Sequence, residues 1–354
     1  MVNVVLDRVA LPLFEDDGME RSMVKTFETS SAWDQFFSKD SLLDAYKLML
    51  KMRRFEERAG ALYTQRSIGG YCHLYIGQEA VVTGIQMAQK PQDTVITAYR
   101  DHAHMLACGI DPNPIMAELT GRSAGCSKGK GGSMHMFSRE KNFYGGHGIV
   151  GGQVSIGTGM AMGHKYKKDQ GVCVTYMGDG AANQGQVYES FNMAAIWGLP
   201  VLYVIEDNGY SMGTAIGRHA AGDFSQRGEP YGIEGCVVDG QDVLVVREAA
   251  EWALNVVRTE NRPILMHVKT YRYRGHSMSD PGLYRSKDEV EDFKTNKDPI
   301  LNLQKVLIDR KLATLDLLTA MDDKIKAEMK VVADFALEAP LPDVAELYTD
   351  VYAA

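Results

Sequence analysis

Two apolar runs that each end in an oxygen-bearing side chain constrain the fold of this 354-residue chain more than any other feature. The run 172–177 leads into Gly178-Asp179-Gly180, and the run 201–205 leads to Asn208. A helical stretch from Gln184 to Trp197 separates them. This order predicts a βαβ unit, whose parallel strands end at the same edge of a sheet. Open α/β sheets bind ligands at that edge.

The side chains placed there suit a metal and a phosphate. Asp179 and Asn208 offer hard oxygen ligands, which Mg²⁺ takes together with substrate phosphates. The glycines beside Asp179 leave backbone N–H groups open to a phosphate near a helix N-terminus. A Gly-Asp-Gly triplet alone is more often a turn. The strand, triplet, helix, strand and asparagine in one unit favour a metal–phosphate site instead.

Composition limits the class of protein. Hydrophobic residues make up 45% and charged residues 24% of the chain, as in a globular protein. The net charge of −8 argues against nucleic acid as a partner. No run of about 18 apolar residues is present, so no membrane span is predicted. The N-terminus lacks the features of a signal or transit peptide.

Cysteine usage indicates the compartment. The five cysteines are scattered without a C-x-x-C pair, which predicts reduced thiols and no zinc site built from them. We therefore expect a cytoplasmic protein of bacterial type, or a mitochondrial matrix protein from which a presequence has been removed.

The pattern along the chain predicts one doubly wound α/β domain with a mostly parallel sheet and helical N- and C-terminal extensions. Residues 1–38 are assigned to an N-terminal arm, residues 39–284 to the α/β domain and residues 285–354 to a C-terminal helical tail. Residues 121–152 are glycine-rich and are predicted as a long irregular segment with a functional role.

Several short motifs have competing interpretations. Arg100, after the strand-like residues 94–98, could grip a phosphate or form a surface salt bridge. The segment 129–133 suggests a P-loop but lacks Ser or Thr after Lys130, which favours a flexible glycine loop. His102 and His104 lack a third metal ligand at suitable spacing. His135 is expected to be structural rather than catalytic.

The segments at 70–80, 99–102, 119–137, 142–152, 178–213 and 270–285 together resemble the alpha subunits of the thiamine-diphosphate-dependent 2-oxo acid dehydrogenase family. The similarity runs from about residue 40 to about residue 340. It implies a thiamine-diphosphate-binding fold of the diphosphate-binding type. Within the family, the segment Gly275 to Gly282 resembles the members that use pyruvate.

The resemblance implies a role for individual residues. Asp179 and Asn208 would hold Mg²⁺ by their side chains, and Tyr210 by its carbonyl oxygen. His73 and His276 would face the substrate as the catalytic residues, with His276 also beside the cofactor. The remaining contacts with thiamine diphosphate would come from Tyr99, Arg100, Gly148, Val150, Gly180 and Ala181.

The resemblance also implies chemistry and partners. The expected reaction is oxidative decarboxylation of pyruvate, with transfer of the acetyl group to the lipoyl group of a dihydrolipoamide acetyltransferase core. The cofactor carries this chemistry and the protein positions it. In the family, a beta subunit supplies a glutamate against the aminopyrimidine ring. We therefore expect an α₂β₂ heterotetramer.

Alternatives remain at this point. The substrate could be a branched-chain 2-oxo acid or acetoin, and the chain could instead be a cofactor-binding structural subunit without turnover. A nicotinamide-dependent dehydrogenase is disfavoured because no glycine fingerprint opens an early helix. Ser277 matches the main serine phosphorylated in eukaryotic relatives. Ala215 stands where a second such serine would be, which makes kinase control doubtful.

Overall fold

A seven-stranded parallel sheet organises the chain, in a computed structural model that describes residues 24–28 and 37–352. Its strands run in the spatial order β1-β8-β9-β5-β4-β2-β3. The strands are β1 Val24–Phe27, β2 Thr94–Ala98, β3 Phe143–His147, β4 Cys173–Gly178, β5 Val201–Asp207, β8 Glu234–Asp239 and β9 Ile264–Lys269. A small antiparallel hairpin, β6 Tyr210–Ser211 with β7 Thr214–Ala215, follows β5.

Helices cover both faces of this sheet. They are α1 Lys39–Thr64, α2 Glu79–Ala88, α3 His102–Ala107, α4 Pro112–Leu119, α5 Gly152–Lys167, α6 Gly185–Trp197, α7 Val243–Glu260, α8 Lys287–Asn296, α9 Pro299–Asp309 and α10 Leu315–Glu338. The predicted doubly wound α/β architecture is confirmed.

Alternate side chains along the strands enter two separate cores. On β5, Leu202 and Val204 join the core under α1, α2 and α7, whereas Val201 and Tyr203 join the core under α5 and α6. Successive strand residues point to opposite faces, so a strand buried on both faces reads as a continuous apolar run. This explains why β4 and β5 are visible in the sequence.

The βαβ unit expected from the sequence is β4, α6 and β5. These strands pair in parallel, with Gly178 opposite Glu206. Asp179 and Asn208 therefore leave the sheet side by side at its carboxyl edge. A left-handed Gly198 ends α6 and turns the chain back toward β5.

The structure differs from the sequence-based expectation in residues 121–152. Phe143–His147 forms the edge strand β3, which pairs in parallel with β2. Strand propensity does not predict β3, because glycine is depleted in strands and two glycines lie at its centre. At Gly146, a Cβ would lie 2.0 Å from Asp101 Oδ2, so this position requires the absence of a side chain.

The two predicted extensions are described in part. Val24–Phe27 pairs with β8 and lengthens the sheet, while the other arm residues up to 23 and 29–36 lie outside the described residues. The C-terminal tail contains α8, α9 and α10, and α10 packs against α1 and α4. The boundaries at residues 38 and 284 stay predictions.

The glycine loop at 125–132 wraps around Glu118 at the end of α4. One carboxylate oxygen accepts the N–H groups of Ser127 and Gly129 at 2.8 and 2.9 Å. The other accepts those of Gly131 and Gly132 at 2.7 and 3.0 Å. Backbone N–H groups that converge in this way form an anion-binding nest. Here the chain's own carboxylate fills it, which fixes the loop that the sequence suggests is flexible.

Two further structural facts concern the helices and the cysteines. No helix within residues 24–28 and 37–352 is long and apolar enough to cross a membrane. All five cysteines are free, and Cys72, Cys173 and Cys236 are buried.

Candidate active site

A cavity of about 850 Å³ lies at the carboxyl edge of the sheet. Its size falls within the range of small-molecule and cofactor sites. Every site residue expected from the sequence lines it, namely His73, Tyr99, Arg100, Gly148, Val150, Asp179, Gly180, Ala181, Asn208, Tyr210 and His276.

The strand order spreads these residues along one line. Asn208 follows β5, Asp179 follows β4, Arg100 follows β2 and Gly148 follows β3, and these four strands are consecutive neighbours. Adjacent strands lie about 4.8 Å apart, so the line from β5 to β3 spans about 14 Å. The metal-type ligands therefore lie at one end and the glycine segment at the other.

Asp179 is an unusual carboxylate. It is 2% exposed, and within the described part of the chain its Oδ2 has no hydrogen-bond partner. Burial and the nearby Asp207 raise its pKa, while His219 and Arg272 oppose that rise. A buried carboxylate without a full set of partners is costly and is commonly paired with a cation or metal. Its environment therefore suits a bound cation.

Arg272 shows that the other two expected metal ligands can share one cation. Its Nη1 donates to Asn208 Oδ1 at 3.1 Å and to Tyr210 O at 3.2 Å. Both oxygens therefore converge on a single positively charged nitrogen. Carboxamide and carbonyl oxygens have two lone pairs each, so a bond to Arg272 leaves one free. The donor set of carboxylate, carboxamide and carbonyl fits Mg²⁺.

The expected metal ligands are oxygen atoms rather than histidine or cysteine side chains. Among the residues described, no group of three or more His, Cys, Asp and Glu side chains could hold a metal ion. The two histidines of α3 face different partners. His102 bonds Glu56 and Ser133 at 2.9 and 2.8 Å, whereas His104 packs between two tyrosine rings.

Arg100 is held firmly at the cavity. It is 8% exposed, and it donates to Leu74 O at 2.6 Å and to His276 O at 2.8 Å. Burial lowers its pKa to about 10, so it remains charged at neutral pH. A guanidinium has five N–H donors, and those not used here can bind an anion.

Three rings form a cluster on the wall of the cavity. The His73 ring lies 4.5 Å from Tyr99 and 5.0 Å from His276, measured between centroids. Burial, then the charge of Arg100, lowers the pKa of His73 to about 2 and that of His276 to about 4. Both imidazoles are therefore neutral at neutral pH. Each can donate one N–H and accept at the other nitrogen.

The loop that carries His276 is tied into a network. Asp280 Oδ2 accepts from His276 N at 2.6 Å and from the Tyr284 hydroxyl at 2.8 Å. Arg272 Nη2 in turn donates to that hydroxyl at 2.7 Å. Ser277, 6% exposed, lies beside this network with its Oγ 2.8 Å from Ser279 Oγ.

Sequence reasoning missed four residues of the site. Arg272 and Tyr284 connect the His276 loop to the metal-type turn, and Glu206 and Gln78 line the cavity floor. Burial raises the pKa of Glu206 to about 7, and both amide atoms of the buried Gln78 are without partners among the described residues. Glu206 could have been found from the sequence, because it precedes Asp207 and Asn208 at the end of the apolar run that forms β5.

The fold and the site define a class of protein, a doubly wound α/β protein with a cofactor-sized cavity at the carboxyl edge of its parallel sheet. Residues 46–345 match the family described as "Dehydrogenase E1 component". The chain belongs to that family.

Individual relatives agree with this assignment. "Pyruvate dehydrogenase E1 component subunit alpha" from Rhizobium meliloti is 58% identical over 316 residues, 89% of this chain and 91% of the relative. The protein of the same name from Zymomonas mobilis is 56% identical over 315 residues, 88% and 89% of the two chains. The Dictyostelium discoideum relative, whose name adds "mitochondrial", is 49% identical over 317 residues, 89% of this chain and 83% of the relative.

Proposed function

We propose that this chain is the alpha subunit of a pyruvate dehydrogenase, which decarboxylates pyruvate oxidatively and acetylates the lipoyl group of a dihydrolipoamide acetyltransferase. The single observation that carries the proposal is that all eleven residues expected of such a site line one cavity. Relatives that share about half or more of its residues carry that name. Their agreement favours pyruvate over branched-chain 2-oxo acids and acetoin.

The metal–diphosphate end of the cofactor would lie over β4 and β5. Asp179, Asn208 and the Tyr210 carbonyl would hold Mg²⁺, for which their oxygens are suitable ligands. Arg100 and Tyr99, with the backbone N–H groups of Gly180 and Ala181, would bind the diphosphate. The convergence of two of these oxygens on Arg272 Nη1 supports the metal assignment.

The ring end would lie toward β3, where the backbone of Gly148 and Val150 approaches the aminopyrimidine. Bound thiamine diphosphate would supply the carbanion that attacks the keto carbon and the electron sink for loss of CO₂. His73 and His276 would face pyruvate. As neutral imidazoles they can each donate an N–H to a developing oxyanion and pass a proton.

The glutamate that activates the aminopyrimidine would come from a second chain. Glu206 is a glutamate at the cavity, but it lies opposite Gly178 on β5, at the diphosphate end. The ring end lies about 14 Å away along the edge of the sheet. Ile149 and Val150, at that end, are 76% and 42% exposed. This supports a beta subunit that covers the ring end in an α₂β₂ heterotetramer.

The compartment and the core partner belong to the same proposal. Five free cysteines fit a reducing compartment, either the bacterial cytoplasm or the mitochondrial matrix after presequence removal. A non-catalytic cofactor-binding subunit is disfavoured because His73 and His276 face the cavity together with the binding residues.

The decisive experiment compares cofactor binding and turnover of the co-purified α–β complex. With wild-type chain, we expect Mg²⁺-dependent thiamine diphosphate binding and pyruvate-dependent acetylation of a lipoyl domain. Asp179→Ala should abolish the Mg²⁺-dependent binding and leave the unfolding midpoint of the cofactor-free complex unchanged or higher. Glu206→Gln is the control that removes a different carboxylate of the cavity. It should leave activation of the aminopyrimidine unchanged. Turnover by the isolated alpha chain at the rate of the complex would refute the two-chain site.

A further inference from the structure

A relay of polar side chains behind Asp179 leads to a residue that the family pattern does not assign. We infer that His219 is a positioning residue for the metal-binding carboxylate, and that Asn183 and Arg227 fix its ring in the one tautomer that can act this way. The inference rests on the proposed function, because it takes Asp179 to be a ligand of Mg²⁺.

His219 lies directly behind the carboxylate. Its Nε2 is 3.2 Å from Asp179 Oδ2, and the two side chains are 14% and 3% exposed. The distance is that of an ion-pair contact, although the two atoms are not aligned as a full hydrogen bond and both count as buried atoms without such a partner among the described residues. The contact therefore places this ring nitrogen against the carboxylate oxygen.

The relay starts at Arg227. Its Nη1 donates to Asn183 Oδ1 at 2.8 Å and to Ala182 O at 2.9 Å. A guanidinium has only donors, so the Asn183 atom that faces it must be the carbonyl oxygen. The guanidinium also lies over the Phe224 ring at 4.2 Å, which holds it in place. The orientation of the Asn183 amide is thereby determined.

The amide orientation determines the tautomer of His219. With Oδ1 on Arg227, the NH₂ group of Asn183 faces His219 Nδ1 at 3.1 Å. Nδ1 must therefore accept, and the only proton of the ring is on Nε2, beside Asp179. In metal sites, groups behind the ligands orient them in this way, and their loss costs 10–100-fold in metal affinity.

The test measures Mg²⁺ binding by calorimetry in the assembled α–β enzyme at saturating thiamine diphosphate. His219→Phe keeps a ring but removes the N–H, and we expect the Kd for Mg²⁺ to rise about tenfold or more. His219→Gln places an NH₂ group near the former Nε2 and should keep the Kd within about threefold of wild type. His164→Phe is the matched control, since His164 also bonds two partners, Asp169 and Thr94, away from the cavity.

The outcomes separate the alternatives. A wild-type Kd for Mg²⁺ in the Phe variant would overturn the inference. An equal loss of Mg²⁺ affinity in the Phe and Gln variants would also overturn it, because the ring would then only fill space. If the Phe variant fails to assemble, His219→Met removes the N–H at similar volume and is compared with Gln in its place. A wild-type enzyme that binds thiamine diphosphate without any Mg²⁺ dependence would instead refute the proposed cofactor site.

Discussion

The guanidinium of Arg272 donates a hydrogen bond to Asn208 Oδ1 at 3.1 Å. The same group, 1% exposed, donates to the Tyr284 hydroxyl at 2.7 Å. One buried side chain therefore joins the turn that carries the expected metal ligands to the loop that carries His276. A charged group in this position links the two parts of the proposed site.

Replacing Arg272 by Met should separate these two elements. We expect the Kd for Mg²⁺ and thiamine diphosphate to rise about tenfold, because Asn208 and Tyr210 lose the group that orients their oxygens. Limited proteolysis should also cut the loop 276–285 faster, since Tyr284 loses its buried donor. Calorimetry and a digestion time course measure the two effects.

Arg258→Met is the control for the loss of a buried arginine. Arg258 forms a paired contact with Asp93 at 2.7–2.8 Å, away from the cavity. This variant should lower stability without changing cofactor affinity or loop cleavage. Equal effects in both variants would mean that Arg272 acts only through general stability.

The sequence predicted which residues line the cavity better than it predicted how they are connected. Asp179 and Asn208 were expected side by side because each directly follows a strand, and strand ends in a parallel sheet converge by topology. Arg272 also follows a strand, yet its partners, Asn208 and Tyr284, are set by the path of two loops. Loop paths depend on tertiary contacts, which local patterns do not encode.

His276 is expected to act on the substrate more than on the cofactor. In His276→Asn, kcat should fall by a factor of about 10² to 10⁴, the usual contribution of a positioned acid–base group. His73→Asn should show a similar loss because the two rings face each other 5.0 Å apart. Cofactor affinity should change by less than about threefold in both variants.

His164→Asn is the control for these histidines, because its ring bonds Asp169 and Thr94 and does not line the cavity. Steady-state kinetics with a lipoyl-domain acceptor, together with cofactor titration, measure the split between kcat and binding. A rise in the cofactor Kd that accounts for the whole loss of activity would contradict a substrate-facing role.

Ser277 lies where an added charge cannot be accommodated. It is 6% exposed, lines the cavity, and bonds Ser279. In Ser277→Asp, a carboxylate would be buried in the cavity expected to hold the anionic cofactor, so like-charge repulsion and desolvation should reduce kcat/KM at least about a hundredfold. Initial-rate measurements over a range of pyruvate concentrations test this.

Ser286→Asp introduces the same charge nearby at an exposed position. Ser286 caps α8 by accepting from Glu289 N at 3.0 Å, and aspartate is an equally good N-cap. Its activity should match wild type. A Ser277→Asp enzyme as active as the Ser286→Asp enzyme would show that the loop tolerates charge.

The strands were predictable from the sequence where burial on both faces produces an apolar run. They were not predictable where glycine stands in place of apolar residues. β4 and β5, buried on both faces, read as apolar runs, whereas β3 has the sequence Phe-Tyr-Gly-Gly-His. Glycine is required at Gly146 and Gly145 because Asp101 and Phe137, respectively, occupy the space that a side chain would fill. Such a requirement for close approach arises from the assembled core and leaves no periodicity.

A buried histidine outside the proposed site should make the fold sensitive to acid. Burial lowers the pKa of His104 from 6.5 to about 3, and Glu206, 3.6 Å away, is too distant for a hydrogen bond. The unfolded chain therefore binds this proton at higher pH than the native chain. Stability that is complete above about pH 6.5 is lost as the pH falls toward the folded pKa.

His104→Phe should remove this loss, since a phenyl ring can pack between Tyr75 and Tyr176 as the imidazole does. The drop in the free energy of unfolding between about pH 7.5 and about pH 5 should be smaller by about 2 kcal/mol in the variant. Glu206, whose pKa burial raises to about 7, shifts stability in the opposite direction but is present in both proteins. Urea unfolding at the two pH values measures the difference. An equal drop in both proteins would mean that His104 takes up no proton on unfolding in this range.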